Sequence, residues 1–202
     1  MRITVIGATG MIGSRVVAEA AQRGHDVTAL SRSGRDVPGA ATAGKLDLSD
    51  TAGVREAIDQ SDATVIAVPS DRTGGSHEPT IEAHRNLIAD PPRQRVLVVG
   101  GAGSLVVDGI ALKDSAGFPV EYRAEAETFT TILDLYRESE GVDWTLLSPA
   151  PVIAPGVRTG GYVTGADSPV GAEISAEDFA VAVLDELANP AHRLARFTVA
   201  AR

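Results

Sequence analysis

Residues 7–13 read Gly-Ala-Thr-Gly-Met-Ile-Gly, between the β-branched run Ile3-Thr4-Val5-Ile6 and the helical pattern Ser14-Arg15-Val16-Val17-Ala18-Glu19-Ala20-Ala21. A buried strand that turns through glycines straight into a helix fixes what can follow more tightly than any other stretch of the chain. Such a turn aims unpaired backbone N–H groups and the positive end of a helix dipole at one point, and a pyrophosphate suits that point. Each glycine has its own task. Gly7 takes backbone angles closed to other residues, Gly10 lets the main chain approach phosphates, and Gly13 lets the helix lie close on the strand. Thr9, Met11 and Ile12 belong to the same loop. A tight turn without a ligand would need the glycines but not the strand and helix on either side.

The rest of the chain alternates in the same sense. Strands are expected over residues 3–6, 26–30, 45–48, 63–68, 95–99, 143–147 and 196–200, and helices over 12–23, 54–59, 79–89, 121–140 and 176–188. This predicts an α/β fold: a single-domain, Rossmann-type doubly wound parallel sheet with helices on both faces and a ligand at the carboxyl ends of the strands. A length of 202 residues suits one domain, residues 1–202. With aromatic residues only 4% of the chain, the core rests on Val, Leu, Ile and Ala, as in a sheet covered on both faces. Ser49-Asp50 leads into the second helix, and Ser175-x-x-Asp178 forms a capping-box pattern at the last one. Residues 101–120 and 149–171 resist the alternation and are expected to form substrate-pocket loops, the second with a short hairpin at Tyr162-Val163-Thr164.

Several functions are disfavoured by composition. There is no cysteine, hence no disulfide, thiolate metal site or cysteine nucleophile, and no metal site is expected. A net charge of -9 disfavours nucleic acid as a partner. Without an apolar leader or a run long enough to span a bilayer, no membrane association is expected, and the location expected is cytoplasmic. The expected partner is a small-molecule acceptor, and monomer and homodimer both stay open.

The Gly-x-x-Gly-x-x-Gly spacing with Ala8-Thr9 resembles the short-chain dehydrogenase/reductase superfamily. The likeness is to its atypical NAD(P)H-binding branch, which includes NmrA-like proteins and NADH-flavin reductases. Leu46-Asp47-Leu48, residues 98–105 (Val-Val-Gly-Gly-Ala-Gly-Ser-Leu), residues 143–149 (Asp-Trp-Thr-Leu-Leu-Ser-Pro) and residues 174–180 extend the resemblance along nearly the whole chain. It implies that Asp47 accepts from an adenine amino group and Leu48 packs on the ring, although a turn-capping role for Asp47 is open too. It also implies that Ala67-Val68-Pro69 and Gly100 lie beside the ribose and nicotinamide.

Where NAD-binding relatives carry an acid at the end of the second strand, this chain reads Leu30-Ser31-Arg32-Ser33. Arg32 suits the 2′-phosphate of NADP, helped by Ser31, Ser33 and Arg35, and NAD stays possible. The Tyr-x-x-x-Lys pair of many reductases is missing, because Ala126 stands four residues after Tyr122. Glu121 and Glu125 flank that tyrosine and oppose its ionisation. Pro151 occupies the place where a proton-donating histidine would fall after the sixth strand. Hydride transfer to a flavin or quinone needs alignment more than protein acid–base groups. The expected function is therefore an NADPH-dependent oxidoreductase reducing such an acceptor, and the alternative is a non-catalytic NADP(H)-binding sensor of NmrA type. Ser104 and Tyr122 are candidate catalytic residues; Ser148, Arg158 and His77 are candidate substrate residues. Each has a plainer reading as a turn, packing or surface residue.

Overall fold

The computed structural model describes residues 1–71 and 73–202. In chain order the elements are β1 (Arg2–Ile6), α1 (Met11–Gln22), β2 (Asp26–Ser31), β3 (Thr42–Lys45), α2 (Thr51–Asp59), β4 (Ala63–Ile66), α3 (Glu78–Ala89) and β5 (Arg95–Val99). A small hairpin follows, β6 (Val106–Val107) with β7 (Ile110–Ala111), then 3-10 turns at Leu112–Asp114 and Val120–Tyr122. The chain continues through α4 (Arg123–Glu138), β8 (Trp144–Ser148), β9 (Val152–Ala154), β10 (Tyr162–Gly165), β11 (Glu173–Ser175), α5 (Ala176–Ala188) and β12 (Ala195–Ala201).

Eight strands form the main sheet in the order β10-β12-β8-β5-β4-β1-β2-β3. All pairs in it are parallel except β10 with β12. After β3 the chain returns to the other side of β1, so the order reverses between β1 and β4. A ligand crevice opens at the carboxyl ends beside such a reversal. The strands alternate their side chains between two cores. Ile3 and Val5 of β1, Leu97 of β5 and Leu147 of β8 pack with Val16, Val17 and Ala20 of α1 and Phe179 and Val183 of α5. Ile6, Ile66, Val96, Val98 and Leu146 face the opposite way, onto Val54 and Ile58 of α2, Leu87 of α3, and Phe129, Ile132 and Tyr136 of α4.

Some boundaries differ from expectation. The third strand ends at Lys45 instead of starting there: Asp47 accepts from the Ser49 N–H (2.9 Å) and hydroxyl (2.8 Å), and this turn drops Leu48 into the core beside α2. Residues 162–164 do not form a hairpin of their own. They belong to β10, an edge strand antiparallel to β12. Residues 101–120 hold the β6–β7 hairpin, and residues 149–171 hold β9, which pairs in parallel with β11.

The α3–α4 side buries one titratable pair. His84, 1% exposed, places Nδ1 3.0 Å from the Tyr136 hydroxyl and leaves Nε2 without a partner among the described residues. Burial pushes the His84 imidazole down from 6.5 to about 4. Between those values the unfolded chain binds a proton that the folded chain refuses, so stability rises with pH across that window and is lost as pH falls through it. The expected loss from pH 7 to pH 4 is about 3 kcal/mol from this residue. Urea midpoints measured over that range should fall more steeply for the wild type than for His84→Gln.

Candidate functional site

Gly7 leaves β1 at φ +88°, and its N–H and that of Ala8 both donate to the Leu30 carbonyl, at 2.9 and 3.1 Å, tying the loop to the end of β2. The Gly10 N–H closes the turn on the Gly7 carbonyl at 3.0 Å. A Cβ on Gly7 would stand 2.4 Å from the Ala67 carbonyl oxygen, and one on Gly13 would stand 2.2 Å from the Gly7 carbonyl oxygen. Glycine is thus what lets the end of β1, the first turn of α1 and the chain leaving β4 meet at one place.

The start of α1 differs from the starts of α2 and α5. Asp50 caps α2 by accepting from the Gly53 N–H at 3.1 Å, and Ser175 caps α5 by accepting from the Asp178 N–H at 3.0 Å. Gly10 caps α1 with no side chain, and the first turn carries no acidic residue. Among the described residues nothing accepts from the N–H groups of Met11, Ile12 and Gly13. These donors and the aligned helix dipole make a seat for an anion.

Toward β2, the Ser31 hydroxyl lies 3.2 Å from that of Ser33 and accepts from the Gly34 N–H at 3.1 Å, which shapes the turn that carries Arg32. Arg32 is exposed, and its guanidinium joins no ion pair among the described residues. The Ser49 amide and hydroxyl hold the Asp47 carboxyl below the usual carboxylate range, with a further contribution from the Arg32 charge. Asp47 therefore serves its own turn, and Leu48 is buried against α2.

On the other side of the loop, Ala67-Val68-Pro69 leave β4, with the Ala67 N–H donating to the Ile6 carbonyl at 2.8 Å. Ser70 follows, 3% exposed, with a hydroxyl that has no partner among the described residues. Nothing in the local sequence distinguishes this serine from a loop serine; only its burial does. Gly100 follows β5, where a Cβ would stand 2.4 Å from Leu146 Cδ2 and 3.5 Å from the Ser148 hydroxyl. Ser148 is fully buried at the end of β8, and its hydroxyl is also unpartnered among the described residues.

The remaining candidates separate. Tyr122, 57% exposed, precedes the first turn of α4. Ser104 accepts from Arg196 Nη1 at 3.2 Å, and Arg196 also pairs with Asp167, so the two long loops are fastened to β12 through this cluster. Its hydroxyl is engaged in that fastening. Arg158 does not stand free as an anion clamp: its guanidinium grips the buried Glu19 of α1 at 2.6 and 2.9 Å. Arg158, and with it Arg23, holds the Glu19 carboxyl below its ordinary range. Asp178 fixes the same segment by accepting from the Thr159 and Gly160 N–H groups at 2.8 and 2.7 Å. His77 lies at the entry to α3 with Nδ1 2.8 Å from the Thr128 hydroxyl oxygen of α4, a contact between positions too far apart to be read from local sequence. Arg72, in the loop after Pro69, lies outside the described residues. No helix among the described residues is long and apolar enough to cross a membrane.

Comparison with known proteins agrees with this arrangement. A family model described as NAD(P)H-binding matches residues 7–190. The chain is 38% identical to the uncharacterised protein YwnB of Bacillus subtilis (strain 168), over 98% of each chain. Among solved structures it is similar to a provisional NADH-flavin reductase from Streptococcus pneumoniae TIGR4, 30% identical over all of both chains with a TM-score of 0.83. It is also similar to a provisionally named exported protein from Burkholderia pseudomallei, 37% identical over 99% of both chains with a TM-score of 0.86. The glycine turn and the uncapped helix accord with these matches, and the chain belongs to the NAD(P)H-binding family.

Proposed function

We propose that this protein is an NADPH-dependent oxidoreductase that passes hydride to a small acceptor such as a flavin or quinone. The observation that carries this reading is the uncapped, acid-free start of α1 beneath the strand-order reversal, flanked by an arginine with no ion-pair partner among the described residues. The residues present fit a dinucleotide. Gly7, Ala8, Thr9, Gly10, Met11, Ile12 and Gly13 would hold the diphosphate, Arg32 the 2′-phosphate, and Ala67, Val68, Pro69 and Gly100 the nicotinamide end. When bound, a reduced nicotinamide supplies a hydride. The chain's first contribution is to bind and to align the acceptor, because a flavin or quinone is already electrophilic. Tyr122 and Ser148 would stand on the acceptor side of that alignment.

Arg32→Ala should weaken NADP(H) binding about tenfold to a hundredfold and NAD(H) binding much less, because a charge-assisted phosphate contact contributes about 1.5–3 kcal/mol. Calorimetric titration of both cofactors checks this, and an equal loss for both would remove the 2′-phosphate assignment.

One observation favours a second reading, NADP(H) binding without turnover as in NmrA-like proteins: Tyr122 is exposed and has Ala126, not lysine, one turn on. Anaerobic stopped-flow absorbance of NADPH with FMN, FAD, small quinones and aldehydes separates the two. Acceptor-dependent oxidation supports the reductase, and tight binding with no oxidation by any acceptor supports the sensor.

A further inference from the structure

His77 sits where the loop after β4 enters α3, and it is the N-cap residue of that helix without acting as a side-chain cap. Its Nδ1 turns instead to α4, 2.8 Å from the Thr128 hydroxyl oxygen. That hydroxyl also lies 2.8 Å from the Ala124 carbonyl oxygen. A carbonyl can only accept, so the single Thr128 hydroxyl proton goes to Ala124, and the oxygen is left to accept from His77. Both contacts are satisfied only if the imidazole carries a proton on Nδ1. Nε2 is then a lone pair in the neutral ring and an N–H donor in the charged one. It has no partner among the described residues, whereas Thr128 itself is buried.

The ring is well placed to use that atom. Phe129, next to Thr128, lies against Gly101 just past the end of β5, where a Cβ would be 3.6 Å from the Phe129 Cβ. His77 therefore bridges α3 and α4 at the carboxyl ends of β4 and β5, on the side of the glycine loop away from β2 and Arg32. Among the described residues, Asp71 of its own loop interacts electrostatically with it, Glu78 follows it in the first turn of α3, and Glu125 lies one turn before Thr128 on α4. Asp71 is held in place by the N–H groups of Thr73 and Gly75 at 2.8 and 2.7 Å.

We propose that His77 is the proton donor for reduction of a quinone-type acceptor, acting through Nε2, and that Thr128 is the positioning residue that fixes its tautomer. This rests on the reductase reading above. Hydride delivered to one quinone oxygen forms an O–H bond, both carbonyl π bonds break as the ring becomes aromatic, and the other oxygen is left as a phenolate; protonated His77 gives that oxygen its Nε2 proton and is reprotonated from solvent. The balance is NADPH plus quinone plus one proton to NADP⁺ plus hydroquinone.

Two measurements on the full chain test this. In ¹⁵N histidine spectra, the signal lost in His77→Asn should report the Nδ1–H tautomer in the wild type and shift toward Nε2–H in Thr128→Val. A wild-type Nε2–H tautomer would overturn the proposal whatever the activity. In anaerobic stopped-flow with NADPH and a small benzoquinone, His77→Ala should oxidise NADPH about a hundredfold more slowly with unchanged NADPH affinity, and added imidazole should restore part of the rate. His77→Asn, closer in size, should be equally slow without rescue. Unchanged rates in both variants, or a loss that tracks weakened NADPH binding and resists imidazole, would overturn it. No oxidation by the wild type would overturn the reductase reading and this role together, while the tautomer spectra would still report separately on the His77–Thr128 geometry.

Discussion

Gly10→Asp is expected to weaken NADP(H) binding at least a hundredfold while leaving the melting temperature within about 3 °C of the wild type. The main chain at Gly10 has φ -77° and ψ 171°, extended angles that any residue adopts. A Cβ there meets nothing nearer than the Gly7 carbonyl oxygen at 3.3 Å, so a small local adjustment admits the side chain. Aspartate is also a preferred N-cap. Its carboxylate would accept from the N–H groups of Ile12 or Gly13, which lack an acceptor in the native chain, and would give α1 the cap it does not have. The substitution thus fills the anion seat from within and sets a negative charge against the diphosphate, a repulsion of several kcal/mol. Titration calorimetry and a thermal melt of the same sample check both halves. Retained binding would show that the start of α1 is not where the phosphates lie.

Gly13→Ala should have the opposite signature, a folding defect of about 3 kcal/mol or more, read as a fall in melting temperature of about 10 °C. The added carbon would stand 2.2 Å from the Gly7 carbonyl oxygen, 2.8 Å from its carbon and 2.9 Å from the Ala8 Cα. All three are backbone atoms, so no side-chain rotation relieves the contact. The first turn of α1 must lift off β1, and with it Val16 and Val17, which are fully buried between the sheet and α5. Helix propensity alone would favour alanine by about 1 kcal/mol, so even a neutral result would show that the close approach costs less than the distances imply. A chemical denaturation curve with an unchanged m-value identifies the loss as one of native stability.

The glycine loop, the alternation of strands and helices and the two caps at Asp50 and Ser175 were legible because each depends on neighbours within a few positions. Period and local turn chemistry carry that information. Lys45-Leu46-Asp47-Leu48 has the composition of a strand, yet the third strand ends at Lys45 because the Asp47 side chain bends the chain just beyond it. Tyr162-Val163-Thr164 among glycines has the look of a short hairpin, since nothing local shows that its partner is β12, more than thirty positions later. The site divided in the same way. Residues on the loop after β1 stand together, while Arg158 and Ser104 turned out to be engaged by Glu19 and Arg196, each tie spanning about half the chain or more. A lone arginine or serine in a glycine-rich loop does not reveal such a tie. The buried hydroxyls of Ser70 and Ser148 are further products of tertiary packing.

The most direct test of the nucleotide site is calorimetric titration of NADPH and NADH into the wild-type chain and into Gly10→Asp under identical conditions. The account predicts saturable binding to the wild type, tighter for NADPH than for NADH, and at least a hundredfold loss of both in Gly10→Asp. Binding of NADPH that survives Gly10→Asp, or no binding of either cofactor to the folded wild type, would contradict it.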